Sequence, residues 1–257
     1  MERAITLIRP YAEREDVVGA YLVGSSTRPQ TDGLSDLDIE VILEDRAYEM
    51  TTDAERHAFT MREGNPRVVD YEIYLRPWSE FVGLTRSTQD LFHYPYQHAR
   101  ILHDPEGRIE RVVAALAELP PLLRFDRLRV HYLEFRFALG RARKTRERGG
   151  ALNLRLLYAD ALAALVKTLF LAASSWPSTH HWSEQELRHL GVPASLLDAT
   201  DAAFTAPATD AMADLVRSLD TWLDSLGETF HHDTRALVAW AFLRAEGRRA
   251  FEVWSGR

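Results

Sequence analysis

The sequence predicts an α+β protein: an α/β unit with a mixed sheet over residues 1–120, followed by an all-α helical bundle over residues 121–257. Three observations carry that expectation. Strand-like runs ("VVGAYLVG", "LDIEVIL" and "RVVDYEIYL") fall only in the first part of the chain. The stretch "ELPPLLR" sets Pro120 beside Pro121, a composition that marks a boundary. Beyond it, long runs keep helical spacing and no segment reads as a strand.

Taken in order, residues 2–15 read as a helix with Pro10 inside it, a position that can kink the backbone. Residues 17–24 are a β-branched and aromatic run ending in Gly, hence a strand, and 37–43 form the next one. "TDAERHAFTMREG" (52–64) has helical spacing and a Gly stop. Residues 67–75 alternate, with Val69, Tyr71, Ile73 and Leu75 on one face and Val68, Asp70, Glu72 and Tyr74 on the other. "WSEFVGL" and "TQDLFHYPYQHA" read as short helices or loops, "ARILHD" as a short edge strand, and "RIERVVAALAEL" as a helix. Past the proline pair, "RFDRLRVHYLEFRFALGRARKTRERGG" reads as one long helix closed by Gly149 and Gly150, and "LNLRLLYADALAALVKTLFLAA" as a second. "WSEQELRHLG" is a short third, with Ser183 and Glu186 spaced as a capping box. "DAMADLVRSLDTWLDSLGETF" and "RALVAWAFLRAEGRRAFEVW" supply two more helices for an antiparallel bundle.

The 257 residues are 46% hydrophobic and 27% charged, which suffices for a proper core and argues against disorder. A formal net charge of −7 counts against a broad nucleic-acid surface and points to small substrates. The absence of cysteine removes disulfides and thiolate metal sites and fits the cytoplasm. The start "MERAITLIRPYAERED" mixes charges among its apolar residues, unlike a signal peptide. "ALAALVKTLFLAA" is broken by Lys167 and too short to cross a bilayer. A cytoplasmic protein with no membrane partner is expected, its oligomeric state open.

The chemistry concentrates in "VGSSTRPQTDGLSDLDIEVIL", residues 23–43. Asp36, Asp38 and Glu40 share one strand face, with neighbours two apart separated by about 6.6 Å along the backbone. Like charges so close repel, and burial raises the cost. A divalent cation reverses the sign. Mg²⁺ is the natural candidate, because it takes oxygen ligands and shares them with substrate phosphates. Upstream, Gly24 permits close backbone approach, while Ser25 and Ser26 add hydroxyls; a helix starting there would offer free N–H groups to an anion. Asp70 and Glu72 come from a strand that could lie beside this one, as a further ligand or a base.

Gly24-Ser25, then Ser35-Asp36-Leu37-Asp38, then a later strand carboxylate resembles the DNA polymerase β-type nucleotidyltransferase superfamily. The helical second half resembles the small-molecule members, such as the aminoglycoside nucleotidyltransferases, and "ILHDPEGRIERV" is similar to a segment these often carry after the core. The motif likeness spans residues 17–75; over 76–257 it is architectural. The resemblance implies that Gly24 and Ser25, with Ser26 and Ser35 beside them, hold the phosphates of a nucleoside triphosphate, ATP first. It implies that Asp36 and Asp38 bind Mg²⁺. The third carboxylate is Asp70 or Glu72. Val69-Asp70-Tyr71 has the hydrophobic-Asp-hydrophobic form of the family, whereas antibiotic-modifying relatives often use Glu. The implied activity is nucleotidyl transfer to a hydroxyl of a small acceptor with release of pyrophosphate. A protein hydroxyl as acceptor, or a non-catalytic binding module of the same fold, are the alternatives.

Lys167, one of two lysines, reads either as a cation facing a cleft and meeting triphosphate or as a side chain snorkelling to the surface. Arg141, Arg143, Lys144, Arg146 and Arg148 read as a solvated helix end, with a phosphate clamp as the alternative. Phe92, Tyr94 and Tyr96 read as packing between domains. The pairs His180-His181 and His231-His232 read as surface histidines, and no zinc spacing is evident. No P-loop and no Rossmann glycine motif is present.

Overall fold

The computed structural model describes residues 1–29 and 35–255. The chain divides into two compact units, Met1–Glu118 and Leu119–Arg257. The first contains α1 (Glu2–Ala12), β1 (Val17–Val23), β2 (Leu37–Leu43), α2 (Asp45–Glu49), α3 (Asp53–Arg56), β3 (His57–Arg62), β4 (Asn65–Pro77), α4 (Trp78–Gly83), β5 (Arg100–His103) and α5 (Arg108–Ala117). The second contains α6 (Pro121–Arg148), α7 (Ala151–Ala172), α8 (Ser183–His189), α9 (Ala194–Thr205), α10 (Thr209–Ser225), α11 (Thr234–Leu243) and α12 (Ala245–Trp254). The α+β class expected from the sequence is the class observed.

The sheet of the first unit is mixed, in the order β3-β4-β2-β1-β5. β1 runs antiparallel to β2 and β5, β2 parallel to β4, and β3 antiparallel to β4. Alternation sorts β2 between two layers. Ile39, Val41 and Leu43 join Leu22, Ile73 and Leu75 under Ala4 and Ile8 of α1. Each such aliphatic side chain, once buried, contributes roughly 1.5–3 kcal/mol. On the opposite face, Ile42 meets Val18, Tyr21 and Val23 under Phe81, Tyr96 and the α5 residues Ile109, Val113 and Leu116. Asp38 and Glu40 lie on that second face by the period-two rule.

Three helical expectations are corrected. Residues 52–64 are one helical turn, α3, followed by the strand β3. Thr52 and Glu55 cap that turn reciprocally, and the chain then pairs with β4, so tertiary ladder bonds override the helical spacing. The run 235–254 is two helices, because Arg244 is extended at φ −89, ψ 141. Gly247 permits the return: a Cβ there would overlap the Trp240 carbonyl. Ser183 does not cap α8. It is the first residue of that helix, and its hydroxyl donates to the Thr179 carbonyl at 3.3 Å.

In the second unit, α6 begins at Pro121, where a missing N–H costs nothing, and ends at Gly149. Two residues then join it to α7, and the pair packs as a helical hairpin. Leu215, Leu219 and Leu223 of α10 recur every four residues and add to the core formed by Leu128, Tyr132, Phe135, Leu165 and Leu169. Arg127 is buried, with its guanidinium 5.4 Å from the Trp176 ring centre and 4.7 Å from that of Trp254. That sandwich fixes α12 on α6 through cation–π attraction. Among the described residues, no helix is long and apolar enough to cross a membrane.

Candidate active site

β1 ends at Val23, which stands opposite Asp38 in the antiparallel ladder. Gly24 follows with φ +81 and ψ −163, a region essentially closed to side chains. The conformation brings its backbone against the Asp38 carboxylate, where a Cβ would overlap Oδ2. Ser25–Thr27 then form a single 3₁₀ turn rather than a longer helix, tied by the Thr27 hydroxyl to the Gly24 carbonyl at 2.8 Å. Ser26 Oγ is buried and has no hydrogen-bond partner among the described residues. Arg28 is buried, with its guanidinium 5.1 Å from the centre of the Tyr94 ring.

On the other side of Asp38, the parallel pairing with β4 sets Glu72 directly opposite. Residues opposite one another in adjacent strands share a face, so two carboxylates meet there. Burial first, then the charges of Asp36, Glu72 and Glu40, push the Asp38 carboxyl up to about 7. Without a cation, Asp38 is therefore only partly ionised at neutral pH.

Glu72 is fixed from β3 and β4. Its Oε2 accepts a hydrogen bond from the Tyr74 hydroxyl and lies 3.7 Å from His57 Nε2. The His57 and Tyr74 rings stack at 4.3 Å and 6°. Burial and then Glu72 hold the Tyr74 hydroxyl above its ordinary pKa, so it keeps the proton that it donates. Glu40 is the end of the acidic row. It accepts from the Tyr21 hydroxyl at 2.6 Å and from Arg76 Nε at 2.9 Å, which neutralises it locally.

Asp70 does not join this group. β3 pairs Thr60 with Tyr71 but Met61 with Val69, so Asp70 is an extra residue on β4. Such a bulge breaks the alternation. The Asp70 carboxylate forms an ion pair with Arg3 of α1, on the opposite side of the sheet, and its hydrogen bonds hold the carboxyl below its usual range. The expectation that Asp70 sits with Asp36 and Asp38 is corrected accordingly: Glu72 occupies that place. Ser35 precedes Asp36, and its carbonyl accepts a hydrogen bond from Arg62 at 3.2 Å, which ties the start of β2 to β3. Lys167 belongs to the second unit. There it lines a cavity of about 260 Å³ with His131, Glu134, Arg141 and Asp160. Tyr96 packs inside the first unit, 5.8 Å from Tyr21 and 6.2 Å from Phe81.

His57 and Arg62 are the residues around the acids that sequence reasoning passed over, while Tyr74 was placed on the face of Glu72 without a role. His57 and Arg62 lay hidden in the stretch read as a helix. The alternation of His57, Phe59 and Met61 with Ala58, Thr60 and Arg62 was the signal that could have found them.

These features define an α+β protein whose mixed sheet presents three crowded carboxylates beside a glycine-serine turn. No family model and no curated protein matches the sequence. Among solved structures, the chain is similar to a nucleotidyltransferase-like protein from Exiguobacterium sibiricum 255-15. Identity is 14% and the TM-score 0.45, covering 100% of this chain and 80% of that one. A likeness of that degree assigns no activity.

Proposed function

We propose that the chain is a Mg²⁺-dependent nucleotidyltransferase. It would move a nucleoside monophosphate, AMP first, from a triphosphate to a hydroxyl of a small acceptor. The acceptor oxygen bonds to the α-phosphorus, the bond from that phosphorus to the bridging β-phosphate oxygen breaks, and pyrophosphate leaves. The observation that carries this reading is Asp38 held between Gly24 and Glu72, with its carboxyl raised to about 7 by burial and neighbouring acids. Such crowding is unfavourable in isolation and becomes favourable around a divalent ion.

The donor set fits Mg²⁺, being all oxygen, with Asp36, Asp38 and Glu72 as the residues that would hold it. When bound, the ion would stabilise charge developing on the phosphates and acidify the acceptor hydroxyl. The remaining roles belong to the chain. Gly24 lets the Asp38 carboxylate lie against the backbone at the mouth of the serine turn. The Ser25 hydroxyl and the partnerless Ser26 Oγ are donors for phosphate. Glu72, oriented by Tyr74 and His57, receives the acceptor proton. Asp70 anchors α1 through Arg3 and takes no part in the reaction.

The test is incubation with ATP labelled on the α-phosphate, Mg²⁺ and a panel of hydroxylated small molecules, with pyrophosphate release as readout. Label carried onto a small molecule, and lost in Asp36→Asn/Asp38→Asn, supports the reading. Label on protein instead shifts the acceptor to a protein hydroxyl. Absence of both MgATP binding by calorimetry and pyrophosphate release with any nucleotide would overturn it.

A further inference from the structure

The second unit brings three metal-ligating side chains to one point. Asp224 lies in the last turn of α10, the chain turns at Gly227, and His231 and His232 return to the same helix end. His232 Nε2 is 2.5 Å and His231 Nε2 3.4 Å from the same Asp224 Oδ1. The three ligand atoms all lie within 4.8 Å of one another. The two rings meet edge to face at 83°, with centres 4.6 Å apart, so adjacent histidines converge here without stacking.

This arrangement corrects the expectation of a surface pair. The His231 side chain is only 3% exposed, whereas that of His232 is 56% exposed. His231 is walled by Phe230 at 5.7 Å and Tyr132 at 6.0 Å. Its Nε2 is buried and has no hydrogen-bond partner among the described residues, although it faces Asp224. The wall is itself fixed, because the Tyr132 hydroxyl donates to Asp220, one turn before Asp224, at 2.8 Å. A buried imidazole nitrogen left without a partner is costly, and one carboxylate oxygen serves two imidazoles poorly.

We propose that Asp224, His231 and His232 form a binding site for a divalent transition-metal ion, Zn²⁺ first. Two imidazole nitrogens and one carboxylate oxygen match the ligand preference of Zn²⁺ and not the all-oxygen preference of Mg²⁺. The ion uses the orphaned nitrogen of His231 and leaves a fourth position to water. It clips the end of α10 to the segment leading into α11. The site is separate in sequence and in ligand chemistry from the carboxylates of the first unit.

The test uses the full chain, stripped with a chelator and titrated with Zn²⁺ against a chromophoric competitor. Asp36→Asn/Asp38→Asn serves as background, so the acidic group of the first unit does not contribute. One Zn²⁺ per chain is expected. Co²⁺ in its place should give the intense visible bands of a low-coordinate, nitrogen-ligated ion. His232→Gln and Asp224→Asn change exposed side chains, and each should weaken Zn²⁺ by more than about tenfold, while circular dichroism stays that of the parent. Zn²⁺ should raise the melting temperature of the background protein and not of these variants. Failure of the background protein to bind Zn²⁺, or equal affinity in His232→Gln and Asp224→Asn, would overturn the assignment.

Discussion

The backbone of Gly24 and the carboxylate of Asp38 adjoin so closely that a single added carbon on residue 24 would overlap Asp38 Oδ2. One neighbour thereby shapes the other: the glycine admits the acid, and the acid demands the glycine.

Gly24→Ala is expected to fail on two counts. The backbone region at φ +81, ψ −163 alone costs about 1–3 kcal/mol for a residue with a side chain. Displacement of Asp38 adds a loss of transfer of about a hundredfold or more, the usual penalty for misplacing a reacting group by an ångström. The urea midpoint and the rate of pyrophosphate release check the two effects separately.

Asp38→Asn should be more stable than the parent at alkaline pH when divalent ions are chelated. The folded-state value of Asp38 is about 7, against an ordinary 3.8, so the native chain holds this proton more tightly than the unfolded chain. Stability is lost as pH rises from 4 to 7 and levels off above. The variant escapes that loss, by on the order of 4 kcal/mol at pH 8 and by almost nothing at pH 4. Melting curves in chelator at pH 4, 5, 6, 7 and 8 give the test. Mg²⁺ with ATP should reverse the order by stabilising only the parent.

Glu72→Gln and Asp70→Asn should behave differently although they lie two residues apart. Loss of the Glu72 carboxylate should lower transfer by about 10²–10⁴-fold. Asp70→Asn should leave the rate within about threefold, since its partner is Arg3, and should speed amide exchange in α1. Steady-state rates and hydrogen exchange on the two variants distinguish the roles.

Arg76→Leu should destabilise the first unit by about 3–5 kcal/mol, because Glu40 is left largely buried beside Tyr21 without its cation. Replacing both, as Arg76→Leu/Glu40→Leu, should recover most of that loss. Denaturant unfolding of Arg76→Leu, Glu40→Leu and the double variant measures the coupling.

Much of this arrangement is legible in the sequence, because parity along a strand is a local property. Asp38 and Glu40 share a face, as alternation in "LDIEVIL" requires. The same rule fails at Asp70, since a bulge on β4 depends on the pairing of β3, which the local pattern does not contain. β3 itself was obscured: "AERHAF" fits helical spacing, and only the ladder to β4 makes it extended. The break at Arg244 was likewise invisible, because α12 folds back through Gly247 and the contact of Phe251 with Phe242 at 5.1 Å. His231 and His232 looked like neighbours facing apart until the turn after α10 brought both to Asp224.

The extra residue on β4 divides that strand into two stretches with different histories open to them. From Tyr71 onward, every position is locked to β2, starting with Leu37 opposite Tyr71. Upstream, from Asn65 to Asp70, the strand pairs among the described residues with β3 alone, Met61 opposite Val69 and Arg62 opposite Asn65. Loss of one codon at the bulge would leave Val69 opposite Met61 and Tyr71 opposite Thr60, so the residues on either side would keep their faces while Asp70 and its tie to Arg3 disappeared. A chain without that codon would keep its carboxylate opposite Asp38 while the count of residues from Val69 to that carboxylate fell by one. An alignment that sets Asp70 against the carboxylate of such a chain would therefore pair a residue tied to Arg3 with one on the face of Asp38.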